Sequence, residues 1–168
     1  MHDQLSFEEA LRLFLEEPNR LDAVLRGLSE AEMAQKQVSA GQTIRQVVHH
    51  LADGDQMWAM YMKVAISASG SSFAADWYPG DDTWAERMSF QAREAAPAIA
   101  LFRANRAYVA QTLRALPETW ERTLTFKHSD DDESYRYSVA DIVGLLVRHA
   151  RQHVQEIEEL SLSEDGQS

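Results

Sequence analysis

LLVRHARQHVQEI, residues 145–157, carries the reading on which the fold turns. Around it Val139, Ile142, Leu146, Ala150, Ile157 and Leu160 recur at three- and four-residue steps, the spacing of an amphipathic helix from about Ser138 to Leu160. At about 100° per residue, His149 and His153 project within about 20° of the centre of that apolar stripe. Both rings therefore face the core. A buried polar ring without a partner costs on the order of 1–3 kcal/mol, so two of them one turn apart require hydrogen-bond partners or a shared ion. The H-x-x-x-H spacing sets two imidazole nitrogens on adjacent turns, where both can converge on one cation.

Working outward from this helix, RTLTFKH (122–128) and ESYRYSV (133–139) alternate β-prone residues around the acidic run SDDDE (129–133). They predict a short β-hairpin before the last helix, with a solvated tip. The acidic run lacks the spacing and glycine turn of a calcium loop. Three further helical patterns precede the hairpin. Ser6 caps the first, which Pro18 kinks or splits before Gly27. Thr43 caps the second, where Ile44, Val47, Val48, Leu51, Trp58, Met62 and Ala65 share one face. The third spans about Phe90 to Leu116, with Pro97 marking a kink or a boundary. The connection FAADWYPGDDTWAERMSF (73–90) carries Trp77, Tyr78 and Trp84, and is expected to lie against the bundle over an opening. The expectation is an all-α chain, an antiparallel four-helix bundle in a single domain over 1–168, with a disordered tail at about 162–168.

Composition narrows the function. The 168 residues, 45% hydrophobic and 26% charged, suffice for one globular core. No cysteine occurs, which removes disulfides, thiolate metal sites and a cysteine nucleophile, and fits a reducing compartment. A formal net charge of −11 without a basic stripe argues against nucleic acid as a partner. No signal peptide is apparent, and no apolar run reaches the roughly 18–20 residues of a membrane span. A cytoplasmic protein is expected.

A third imidazole stands in QVVHHLAD (46–53). His49 and His50 flank the Ile44–Leu51–Trp58 stripe on opposite sides, about 120–140° from its centre, so periodicity does not choose between them. One of the two completes a three-histidine site with His149 and His153, or both lie on the surface.

TIRQVVHHLADGDQMWAMYMKVAI (43–66), ADWYPGDDTWAE (75–86), WERTLTF (120–126) and RHARQHVQEI (148–157), in that order, resemble the DinB superfamily, in its YfiT-like, bacillithiol-transferase branch. The likeness is strongest over 43–66 and 120–157 and weak through the first forty residues. The sequence departs from the family pattern at Gln42, where relatives often carry tryptophan, and at Arg148, Gln152 and Glu156. The resemblance implies an antiparallel four-helix bundle that binds a divalent metal, zinc or nickel, through His50, His149 and His153. His49 then points outward or sits behind the ligands. Asp53, one turn after His50, is the candidate to orient a ligand ring by accepting its other N–H, with helix capping or solvent exposure as its rival roles.

The chemistry implied is thiol S-transfer, in which the metal ionises a small thiol such as bacillithiol for attack on an electrophile. The alternatives are metal-dependent hydrolysis by an ionised water and metal binding without turnover in a stress response. Arg106, Arg148 and Arg151 are the candidate cations for an anionic cosubstrate, against the plainer reading that exposed arginines only solubilise. Homodimers are common in the resembled family, and Met57, Met60 and Met62 read either as part of such an interface or as core filler.

Overall fold

Side-chain caps start the helices where the sequence offers them. In the computed structural model, which describes residues 6–39, 41–127 and 134–165, Ser6 accepts from Glu9 N–H to open α1 (Phe7–Val24). Ser29 and Glu32 form a capping box for α2 (Glu30–Gln35), as Thr43 and Gln46 do for α3 (Ile44–Ser67). The chain continues through β1 (Ser71–Ala74), α4 (Asp81–Arg87), a 3-10 turn at Phe90–Ala92 and α5 (Ala95–Ala115). A second 3-10 turn, Pro117–Thr119, leads into β2 (Thr123–Lys127), β3 (Ser134–Ser138) and α6 (Val139–Asp165). Ser138 and Asp141 cap α6 reciprocally at 2.8 and 3.0 Å.

Around the bundle, α1 packs on α5 and α6, and α3 packs on the same two helices, so α1 and α3 lie across its diagonal. The core has two apolar clusters. One holds Phe14, Met62, Leu113, Leu124 and Leu146 at the sheet end; the other holds Leu21, Leu51, Phe102, Val154 and Ile157 at the opposite end. Polar side chains are buried among the long helices as well: Glu17 on α1, Asp55 on α3 and Arg106 on α5, while His149 of α6 is half-buried and lines a cavity.

Several expectations are corrected. Helix α1 runs unbroken through Pro18. A proline at 18 cannot donate to the carbonyl of Phe14, and that carbonyl instead accepts from Arg106 Nη1 of α5 at 3.0 Å. Helix α5 begins at Ala95, not Phe90, which places Pro97 in its first turn where no N–H is needed. Its free N–H groups are served from α2: Glu30 accepts from Ala95 at 3.0 Å and from Ala96 at 3.2 Å.

The connection 73–90 is not structureless. It contains α4, and β1 just before it joins the hairpin as a third strand, parallel to β2, giving the order β1-β2-β3. The hairpin pairs Thr123 with Ser138 through Lys127 with Ser134, and its acidic tip lies outside the described residues. Helix α6 extends past Leu160 to Asp165, where a disordered tail was expected from 162; residues 166–168 lie outside the described set. Met62 is buried, Met57 half-buried and Met60 55% exposed, so of the three Met60 offers the most surface. Among the described residues no helix is long and apolar enough to cross a membrane.

Candidate metal centre

Helices α3 and α6 pack so that His50, His149 and His153 each offer one ring nitrogen within 4.8 Å of the others. The three ring centroids lie 4.9–5.1 Å apart, and each pair of rings is steeply inclined, at 70°, 78° and 84°. His50 Nε2 and His149 Nε2 are 2.9 Å apart. Two lone pairs do not face each other at that distance, so in the metal-free protein His50, as the tautomer protonated on Nε2, donates its N–H to the His149 lone pair. His153 turns its Nδ1 to Glu156 Oε2 at 2.8 Å, leaving Nε2 for the shared centre.

Burial favours the neutral form of His50 and His149. His149 is pushed down to about 3 from the ordinary 6.5, first by burial and then by the neighbouring His50 and His153. Burial also pushes His50 down, although Asp81 opposes it. A neutral imidazole with a lone pair directed at two others is the ligand state a divalent ion requires. In a tetrahedral zinc site, nitrogens bound at about 2.0–2.1 Å stand roughly 3.3 Å apart, and the His50–His149 separation of 2.9 Å lies within a few tenths of an ångström of that. The residues fit such an ion.

The neighbours of the triad differ from expectation. His49 does not point outward: it is buried, stacked on Phe90 with centroids 5.2 Å apart, and its Nε2 donates to the Arg93 carbonyl at 3.3 Å. Asp53 Oδ2 accepts from the Trp84 indole N–H at 3.0 Å and so ties α4 to the helix that carries His50. The carboxylate hydrogen-bonded to a ring of the triad is Glu156, at an H-x-x-E spacing on α6 that is itself visible in the sequence. Gly54 faces the triad too: a Cβ there would stand 3.7 Å from His149 Cε1, so a methyl fits and a larger group meets the ring.

None of Arg106, Arg148 and Arg151 is among the described residues that line the cavity beside the histidines. Arg106 is fully buried, bound by both Asp55 oxygens at 2.6 and 3.0 Å and by the Leu146 carbonyl at 2.9 Å, with its guanidinium 4.4 Å from the Phe14 and Phe102 ring centroids. One side chain on α5 thus ties α1, α3 and α6 together. Arg151 Nε pairs with Glu17 Oε1 at 2.9 Å, and Arg148 is exposed and folds back over Gly144.

Above His50 and His149 opens a cavity of about 300 Å³. Trp58, Tyr61 and Phe126 line it from α3 and the sheet, and Ala75, Tyr78 and Asp81 from the connection that precedes α5. Trp77, Tyr78 and Trp84 cluster with centroids 5.6–6.0 Å apart. The aromatic connection therefore does lie over an opening, and the opening leads to the histidines.

Comparison with known proteins agrees with this arrangement. The profile of the DinB superfamily matches residues 13–157. YfiT from Bacillus subtilis (strain 168), described as a candidate metal-dependent hydrolase, is 25% identical over 151 residues, covering 90% of this chain and 82% of its own. Its solved structure, a four-helix bundle of unusual topology, matches with a TM-score of 0.81 at 23% identity over 98% of this chain and 93% of that one. The mycothiol-dependent maleylpyruvate isomerase shares the fold at a TM-score of 0.70 and 14% identity, over 91% of this chain and 61% of its own. The chain belongs to the DinB superfamily and is YfiT-like.

Proposed function

We propose that this chain is a metal-dependent enzyme in which His50, His149 and His153 hold one divalent ion, zinc or nickel, and which transfers a low-molecular-weight thiol such as bacillithiol to an electrophile. The observation that carries the reading is the cavity that opens directly onto two of the three histidines. A metal site with purely structural duty has no use for such access, whereas a catalytic one keeps a position open. When bound, the ion supplies Lewis acidity, which lowers the pKa of a thiol or a water that reaches it.

The chain's own residues do the rest. Burial holds the His149 lone pair free of protons, and Glu156 fixes the tautomer of His153 by accepting from its Nδ1–H. The aromatic walls keep bulk water away and hold the acceptor near the histidines. Since the chain has no cysteine, the sulfur arrives with the cosubstrate. The maleylpyruvate isomerase, whose name makes it mycothiol-dependent, illustrates that this fold accommodates thiol-dependent chemistry, and at 14% identity it bears on the fold alone.

Hydrolysis is the second reading, favoured by the 25% identity to YfiT, described as a candidate metal-dependent hydrolase. Elemental analysis of tag-free protein comes first, followed by a panel of bacterial thiols with a chromogenic electrophile and a parallel panel of esters and amides. Thiol-dependent turnover that is lost in His149→Ala supports S-transfer. Ester or amide cleavage with no thiol-dependent rate replaces it with hydrolysis. A protein without a stoichiometric divalent ion overturns both.

A further inference from the structure

The cavity above the histidines joins an apolar wall to one carboxylate among the described residues that line it. Met57, Trp58, Tyr61, Phe126 and Leu145 make the wall, Asp81 stands exposed at its mouth, and no lysine or arginine is among the described residues that line it. Tyr78 O–H donates to Asp81 Oδ1, which anchors the carboxylate and leaves its second oxygen as acceptor capacity. Of the candidate cations, Arg106 is held by Asp55 and Arg151 by Glu17, and Arg148 is not among the residues that line the cavity. A volume of about 300 Å³ is at the small end of ligand pockets, the size for one substituted ring.

We propose that this cavity selects a small aromatic ligand without negative charge, and that Asp81, positioned by Tyr78, rejects anions and accepts a hydrogen bond from the ligand's polar end. Identifying that ligand with the electrophile rests on the S-transfer reading; the binding preference itself does not. A bound divalent ion would add positive charge at the far end of the cavity, so the preference against anions is read in the chelated protein, where only Asp81 acts on the ligand's charge. An anionic ligand would enter past Asp81 at the mouth, where the apolar wall on one side focuses the field of its carboxylate.

The test is equilibrium binding, by calorimetry, of benzyl alcohol, benzylamine and benzoate to the full chain as purified and after chelation. In both forms Asp81→Asn is expected to raise benzoate affinity at least fivefold and to leave benzyl alcohol within twofold. In the chelated wild-type protein benzylamine is expected to bind at least tenfold more tightly than benzoate. Tyr78→Phe, which keeps the carboxylate and removes its anchor, gives a smaller gain for benzoate. Melting temperatures within a few degrees of wild type show that the variants are folded. The proposal is overturned if Asp81→Asn leaves benzoate affinity unchanged, or if it shifts all three ligands equally. Because these readouts need no turnover, a chain that binds as expected but shows no S-transfer would refute only the functional reading.

Discussion

Glu156 Oε2 lies 2.8 Å from His153 Nδ1, one turn along the same helix, and this contact decides which nitrogen of His153 faces the other two rings. A carboxylate on the far nitrogen fixes the tautomer and raises the basicity of the near one. Glu156→Gln keeps the shape and removes the charge. It is expected to weaken divalent-metal affinity about 10–100-fold, measured by competition against a chelator of known affinity. An unchanged Kd would reduce the pair to a surface contact.

His49 and His50 are neighbours in sequence with different surroundings. His50→Ala, His149→Ala and His153→Ala are each expected to abolish stoichiometric metal binding. His49→Ala removes a ring stacked on Phe90 and should cost about 1–3 kcal/mol of stability with metal content retained. Elemental analysis alongside urea unfolding separates the two effects. Metal loss in His49→Ala with retention in His50→Ala would exchange their roles.

The buried Arg106 matches the deficits of three other helices. Arg106→Met leaves the Asp55 carboxylate in the core without its partner, and the expected loss is about 3–5 kcal/mol. Adding Pro18→Ala gives the Phe14 carbonyl an intrahelical donor again and should recover about 1 kcal/mol of that loss. In the wild-type background, where Arg106 already serves the carbonyl, the same substitution gains less. A double-mutant cycle measures the coupling; strict additivity would show that Arg106 does not compensate the proline.

Protonation of His149 opposes folding of the metal-free protein. Its pKa is about 3 when folded, against an ordinary 6.5 when unfolded. Above pH 6.5 both states are neutral, and stability is fully present. As pH falls from 6.5 towards 3, the unfolded chain takes up a proton that the folded chain refuses, so stability is lost. By pH 5 the loss is about 2 kcal/mol. Denaturant midpoints at pH 7.5 and pH 5 for the chelated wild type and for His149→Phe check this. The variant should lose less stability by roughly that amount, and equal losses would contradict it.

The sequence by itself determined the helices and which faces they bury, because apolar spacing, capping pairs such as Thr43 with Gln46, and the H-x-x-x-H step are local quantities. The hairpin was legible for the same reason, from alternation on either side of an acidic turn. The resemblance to the DinB pattern supplied the choice of His50 over His49, which periodicity left open. What only the tertiary structure decided is who meets whom across helices. Arg106 looked like a surface cation and is instead the centre of a buried polar cluster, because Asp55, the Phe14 carbonyl and the Leu146 carbonyl converge on it from three other helices. Asp53 looked like a ligand's partner and holds Trp84, because α4 folds back over α3. Strand β1 pairs with β2 some fifty residues away. Long-range pairing depends on the packing of whole elements, and no window of sequence contains both partners.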